Sequence, residues 1–373
     1  MILSRYHPCY DILGCMSLEI GIVGLPNVGK STLFNALTNN NILAANYPFA
    51  TIEPNTGIVP VPDNRLAELA KLYGSEKLLP ATVTFVDIAG LVAGASKGEG
   101  LGNKFLANIR QCDAIVHIVR AFENDDIVHV SDRIDPKADI EIINTELILA
   151  DIQTIESRLP KVIKESKAFP KQKLVAEYLE TLMRHLNGGT PLSALPSLNN
   201  EYVYDLHLLT AKPVIYAFNV DEKTLSDEVK QTELRQLVSP ARTIFVCAQL
   251  EDEIKELTEA DAQELLESYG VKETGLSQMI HAAYDTLGLQ SYLTAGPKEV
   301  RAWTIKKGST APQAAGVIHT DFERGFIAAQ VVDYDDLIAS GSEVNAKKLG
   351  KMRTEGKEYI MQPGDVVEFR FNV

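Results

Sequence analysis

The chain has 373 residues, enough for two or three domains that each bury a core. Apolar residues make up 45% and charged residues 23%, which excludes the fibrous and wholly disordered classes. Lys and Arg number 36 against 50 Asp and Glu, a net charge of -14, so a protein that coats nucleic acid over its whole surface is excluded and any RNA contact has to be local.

Residues 1–15 hold an Arg and a His but no apolar run of seven. They make a poor secretory signal and read as an N-terminal tail, or an over-long start ahead of Met16. Four cysteines, Cys9, Cys15, Cys112 and Cys247, show neither C-x-x-C pairing nor metal spacing, which fits a reducing cytoplasm. No run of 18 apolar residues occurs, so no membrane partner is expected, and neither is DNA.

Short β-rich runs at 18–23, 81–86, 114–119, 214–218 and 243–246, separated by helical stretches, predict an α/β fold with a doubly wound parallel sheet. Ligands of such sheets gather at the carboxyl ends of the strands, which directs attention to Gly24, Asp87, Asn219 and Cys247. Between the third and fourth runs, Ile148, Ile152, Ile155, Leu159 and Val162, then Leu174, Tyr178, Leu182 and Leu186, repeat with a helical period, separated at Pro170. Residues 135–200 are therefore predicted as an inserted helical hairpin, either coiled-coil-like or a plain amphipathic pair packed on the core. Beyond a boundary near Gly288, strand candidates at 300–305, 326–333, 358–360 and 366–371 predict a small α+β module over 289–373. That module holds 11 basic and 11 acidic residues, so the charge deficit lies upstream, and Lys347, Lys348, Lys351 and Arg353 cluster within it as a candidate ribosome-docking face or a solvated one.

Residues 24–31 match G-x-x-x-x-G-K-[ST] between a β-run and a helix-compatible segment. Backbone N–H groups around Asn27, Val28 and Gly29 are placed to curl about phosphates, with Thr32 in the helix start. Lys30 reaches the β and γ oxygens, and Ser31 ligates Mg²⁺. Asp87 and Gly90, as D-x-x-G after the second run, supply an acid for the Mg²⁺ shell and an N–H for a γ-phosphate. Thr51, in the loop between the two motifs, offers a further hydroxyl to the metal. Asn219, Val220, Asp221 and Glu222 stand where guanine-specific switches carry N-K-x-D; the longer Glu222 misplaces the carboxylate that pairs with guanine, and Val220 has no cationic stem, so adenine becomes plausible. A surface turn without a base contact is the alternative.

With these residues in view the sequence resembles the YchF family of Obg-like ATPases, among the translation-factor-related P-loop NTPases, from about residue 16 to the end. The resemblance rests on residues 24–32, 47–55, 86–103, 219–222 and the C-terminal stretches 301–305, 311–315 and 319–322. It implies a nucleotide-binding domain over 16–134 and 201–288, the hairpin inserted between them, and a C-terminal TGS domain of β-grasp type over 289–373. It also implies Mg²⁺ on Ser31 and Thr51, an adenine contact from Asn219 and the Val220 backbone with Ala248 beside them, and association with the ribosome through its RNA or proteins. Where related hydrolases carry a water-orienting Gln after D-x-x-G, this chain has Leu91, which has no donor or acceptor. His129 is a candidate to replace it, a solvated loop histidine being the alternative, whereas His117 reads as a core residue. Asn27 resembles the P-loop residue that helps hold K⁺ in NTPases lacking that Gln. The expected activity is a slow, Mg²⁺-dependent ATPase switch that also takes GTP more weakly; a GTPase of the same fold and a P-loop small-molecule kinase are the competing readings.

Overall fold

The computed structural model describes residues 18–39, 55–88, 100–122, 134–255 and 257–372. Its strands are β1 (Glu19–Val23), β2 (Thr56–Pro60), β3 (Lys77–Leu79), β4 (Thr82–Asp87), β5 (Ala114–Ala121), β6 (Val214–Val220), β7 (Arg242–Val246), β8 (Leu289–Ala295), β9 (Glu299–Lys306), β10 (Phe326–Asp333), β11 (Arg353–Glu355) and β12 (Asp365–Phe371). The helices used below are α1 (Lys30–Asn39), α2 (Arg65–Tyr73), α3 (Gly100–Gln111), α4 (Pro136–Ser166) and α5 (Pro170–Asn187). The chain divides into two compact units, one of Leu18–Val59 with Val83–Thr286, the other of Pro60–Thr82 with Leu287–Val373.

The first unit carries a six-stranded sheet in the order β2-β4-β1-β5-β6-β7, with β4, β1, β5, β6 and β7 paired in parallel. All five expected runs are strands in it. Every residue of β5 is buried, as a central strand covered on both faces requires. From β1 the chain moves to β4 on one side and then to β5 on the other, so the carboxyl end of β1 lies at the topological switch point. His117 lies within β5, 2% exposed, against the Tyr216 ring at 5.3 Å, so it is the core residue expected. Burial holds its imidazole down at about 3.

The expected hairpin is α4 and α5. Ile148, Ile155 and Val162 of α4 close over Ala176, Leu179, Leu182 and Leu186 of α5, and Leu192, Val203 and Leu206 complete this cluster. Its inward stripe on α5 runs through Leu179 rather than Leu174, which is 53% exposed. The other end of α4 joins the sheet, Ile140 packing with Val119, Phe218 and Val220. Asp151 anchors the pair: its buried carboxylate accepts the Leu209 and Thr210 N–H groups at 2.8 Å and the Thr210 hydroxyl at 2.7 Å.

The second unit carries a mixed sheet of order β11-β10-β12-β8-β9-β3, with β8 antiparallel to β9, β10 antiparallel to β12, and β12 parallel to β8. Two expectations are corrected here. Residues 358–360 form no strand, only a bridge from Ile360 to Thr310. Residues 60–82, expected within the nucleotide-binding domain, belong to this unit: β3 pairs in parallel with β9, and α2 packs on β8 and β9 with Leu69 wholly buried. The helix Ala311–Ile318 starts on a capping box between Thr310 and Gln313, and its Ala311, Ala314 and Ala315 are wholly buried, small enough to let Tyr292 and Phe326 pack close. No described helix is long and apolar enough to cross a membrane.

Candidate nucleotide site

The phosphate loop leaves β1 and enters α1, whose first turn closes with the Leu33 N–H donating to the Gly29 carbonyl at 3.0 Å. Two positions on it adopt left-handed backbone, Asn27 at φ 62° and Gly29 at φ 91°, the conformation that turns successive N–H groups toward one concavity. Leu25 and Val28 anchor the loop in the core, leaving Ser31 and Thr32 exposed at the start of α1. A helix start of this kind favours an anion.

Asp87 arrives at the same place from the neighbouring strand, because the β1/β4 register sets Ile22 opposite it. Its N–H donates to the Asn55 carbonyl at 2.8 Å, and its carboxylate is ion-paired with the Lys30 ammonium. Cation and acid thus converge at the ends of two adjacent parallel strands, with Ser31 next to Lys30 in the chain. Ser31 and Asp87 are both hard oxygen donors, the chemistry Mg²⁺ takes. Thr51, Gly90, Leu91 and His129 lie outside the described residues.

Asn219, near the end of β6, ties the third motif to this loop. It is 3% exposed, and its Nδ2 donates to the Val28 carbonyl at 3.0 Å while Oδ1 faces the Ala248 N–H at 3.4 Å. Only a glycine fits beside it, since a Cβ on Gly29 would stand 2.3 Å from Asn219 Nδ2. The side chain of Val220 is in the core with Val119 and Phe245. Asp221 caps the short helix Glu222–Leu225, accepting the Thr224 N–H at 2.9 Å; burial pushes its carboxyl up, but the hydrogen bonds from Thr224 outweigh that and hold it below the usual range.

Glu222 has a partner that sequence reasoning missed. The Tyr269 hydroxyl donates to Glu222 Oε2 at 2.8 Å, and this bond, together with burial, raises the phenol's pKa. The two residues are 47 apart in the chain, and no local pattern links a tyrosine before Gly270 to the motif of residues 219–222. One carboxylate oxygen of Glu222 is therefore occupied by the protein itself.

A family model described as a 50S ribosome-binding GTPase matches residues 19–163, and a model named YchF-GTPase_C, described as a protein of unknown function, matches residues 289–372. The "Ribosome-binding ATPase YchF" of Haemophilus ducreyi is 53% identical over 363 residues, covering 96% of this chain and 100% of its own length. That of Bacillus subtilis is 52% identical over 366 residues with the same coverages. The solved structure of the Schizosaccharomyces pombe "YchF GTPase" is 39% identical with a TM-score of 0.82, covering 95% of this chain and 98% of that one. A "GTP binding protein" from Pyrococcus horikoshii, 21% identical over 95% of this chain and 100% of its own, shares the fold at a TM-score of 0.56.

Proposed function

The chain belongs to the YchF family, and from that premise we propose that it is a cytoplasmic, Mg²⁺-dependent ATP-hydrolysing switch that associates with the ribosome, with residues 289–373 as its TGS domain. The observation that carries the nucleotide reading is the convergence of Lys30 and Asp87 at the switch point, with Asn219 bonded to the P-loop carbonyl of Val28. In this reading Lys30 and the N–H groups of residues 27–32 hold the phosphates, and Gly90 adds a γ-phosphate contact. Ser31, Thr51 and Asp87 hold Mg²⁺, which when bound neutralises charge on the phosphate oxygens. His129 orients the attacking water, because Leu91 offers it no hydrogen bond.

Base preference follows from Glu222 and Tyr269. A guanine site needs a carboxylate free to accept two base N–H groups; here the acid is a longer Glu and one of its oxygens is taken at 2.8 Å. The second N–H of Asn219 Nδ2, the Val220 backbone and the Ala248 region remain for adenine. A GTPase is the second reading, supported by the name of the fission-yeast relative. Calorimetric titration decides between them: ATP is expected to bind about tenfold tighter than GTP. In Tyr269→Phe the freed carboxylate should improve GTP binding by about fivefold with ATP unchanged. Clearly tighter GTP binding by the unmodified chain would sink the ATP reading.

Asn27 is read as a K⁺ ligand. Hydrolysis should then slow when Na⁺ replaces K⁺ at constant ionic strength, and indifference to the exchange would remove the ion from the site.

A further inference from the structure

In a chain of net charge -14, residues 158–173 hold six cations, Arg158, Lys161, Lys164, Lys167, Lys171 and Lys173, against the single acid Glu165. They surround the turn between α4 and α5, the end of the hairpin farthest from the sheet, since α4 at 31 residues is about 46 Å long and only its beginning packs on β5. All five lysines are exposed, and Phe169 at the turn is 63% exposed.

Local stability does not explain this arrangement. Lys164 and Lys167 complement the carboxyl end of α4, but Lys171 and Lys173 stand in the first turn of α5, where a cation opposes the helix dipole. That turn has no acid, and its N-cap residue, Phe169, makes no capping bond. A segment that breaks its local rules is a place to look for function. Lys171 and Lys173 are paired with Glu201 and Glu177, whereas Lys161, Lys164 and Lys167 make no ion pair among the described residues. In the C-terminal basic cluster two of the four cations are paired: Lys351 with Asp336 at 3.0 Å, and Arg353 with Glu355 at 3.1 Å and Asp365 at 3.8 Å.

We propose that the far end of the α4–α5 hairpin is an RNA-docking surface, on which Lys161, Lys164 and Lys167 meet backbone phosphates and Phe169 stacks on an unpaired base of ribosomal RNA. The identity of the RNA rests on the ribosome reading above; the phosphate chemistry does not. An acidic body is repelled by RNA, so a local basic tip is the kind of contact this chain can make. An exposed aromatic among lysines matches how unpaired bases are held.

The test uses the full chain against three probes: purified ribosomes by co-sedimentation, a fluorescent RNA stem-loop by anisotropy across a KCl series, and vesicles containing anionic lipid. Lys161→Gln/Lys164→Gln/Lys167→Gln should lose on the order of tenfold affinity for both RNA probes, with the salt slope shallower by about two. The corresponding triple Lys→Arg variant should bind as the unmodified chain does, and Phe169→Ala should lose about fivefold with the slope kept. ATP affinity should be unchanged in all three, showing that the nucleotide site is intact. Unchanged RNA affinity and slope in the glutamine variant, an arginine variant as weak as the glutamine one, or vesicles bound as tightly as RNA would each overturn the proposal. Normal stem-loop behaviour without ribosome binding would leave the surface standing and reject the ribosome reading.

Discussion

Gly29 is where a single atom decides whether two motifs meet. Its φ of 91° is strained for any other residue, and a Cβ there would collide with Asn219 Nδ2 at 2.3 Å, so the P-loop and β6 can share a hydrogen bond only across a glycine. Gly29→Ala should break the bond from Asn219 to Val28 and weaken ATP binding by about 5- to 150-fold, from strain of about 1–3 kcal/mol. Calorimetry on the variant checks this, and an unchanged affinity would mean the loop does not need this approach. Legibility at this scale was uneven. The P-loop could be read because its spacing is local, whereas the bond from Tyr269 to Glu222 could not, because its partners meet only after two helices have packed.

Between elements, the helix Ala248–Ile254 is joined to the helix Gly275–Thr286 through one acid. Glu251 is 5% exposed and accepts the Leu276 N–H at 3.2 Å, adding to the local cap in which the Thr274 hydroxyl accepts the Ser277 N–H at 3.1 Å. Burial pushes its carboxyl up to about 7, from 4.5. The folded state therefore holds this proton more tightly than the unfolded one. The stability it contributes is fully present below pH 4.5 and is lost as pH rises through about 7, on the order of 3 kcal/mol across that window. Urea unfolding of Glu251→Gln over this range should show that decline removed; a slope identical to the unmodified chain would place the titration elsewhere. His117 contributes the opposite slope, its stability being lost as pH falls from 6.5 toward 3, so the difference between the two proteins isolates Glu251.

Across the whole molecule, the second unit is discontinuous in sequence. The segment Pro60–Thr82 leaves the nucleotide-binding sheet after β2 and returns at β4, and in between places α2 and β3 against strands more than 200 residues later. Arg65 donates to the Pro363 carbonyl at 2.6 Å, Ser75 to the Gly296 carbonyl at 2.7 Å, and the Tyr334 hydroxyl to Glu68 at 2.6 Å. A chain cut at residue 288 would expose Leu66 and Leu69, which are 4% and 0% accessible, at about 1.5–3 kcal/mol each. Such a truncation should aggregate or melt earlier than the intact protein, as light scattering and thermal unfolding would record. Unfolding as cooperative and as late as that of the full chain would show that α2 does not depend on the C-terminal strands.

The sequence alone determined the strands β1, β4, β5, β6 and β7, the hairpin helices and the phosphate loop, because each is written in spacing along a short stretch: period two or continuous apolar runs, period 3.6, and fixed glycine and lysine offsets. It did not determine that the inward face of α5 would turn on Leu179. Nor did it show that β3 completes a C-terminal sheet. Those outcomes depend on burial against partners distant in the chain. Burial against α4 selects Leu179 as the inward residue of α5, and the edge of β9 gives β3, only three residues long, a hydrogen-bonding neighbour it could not find locally.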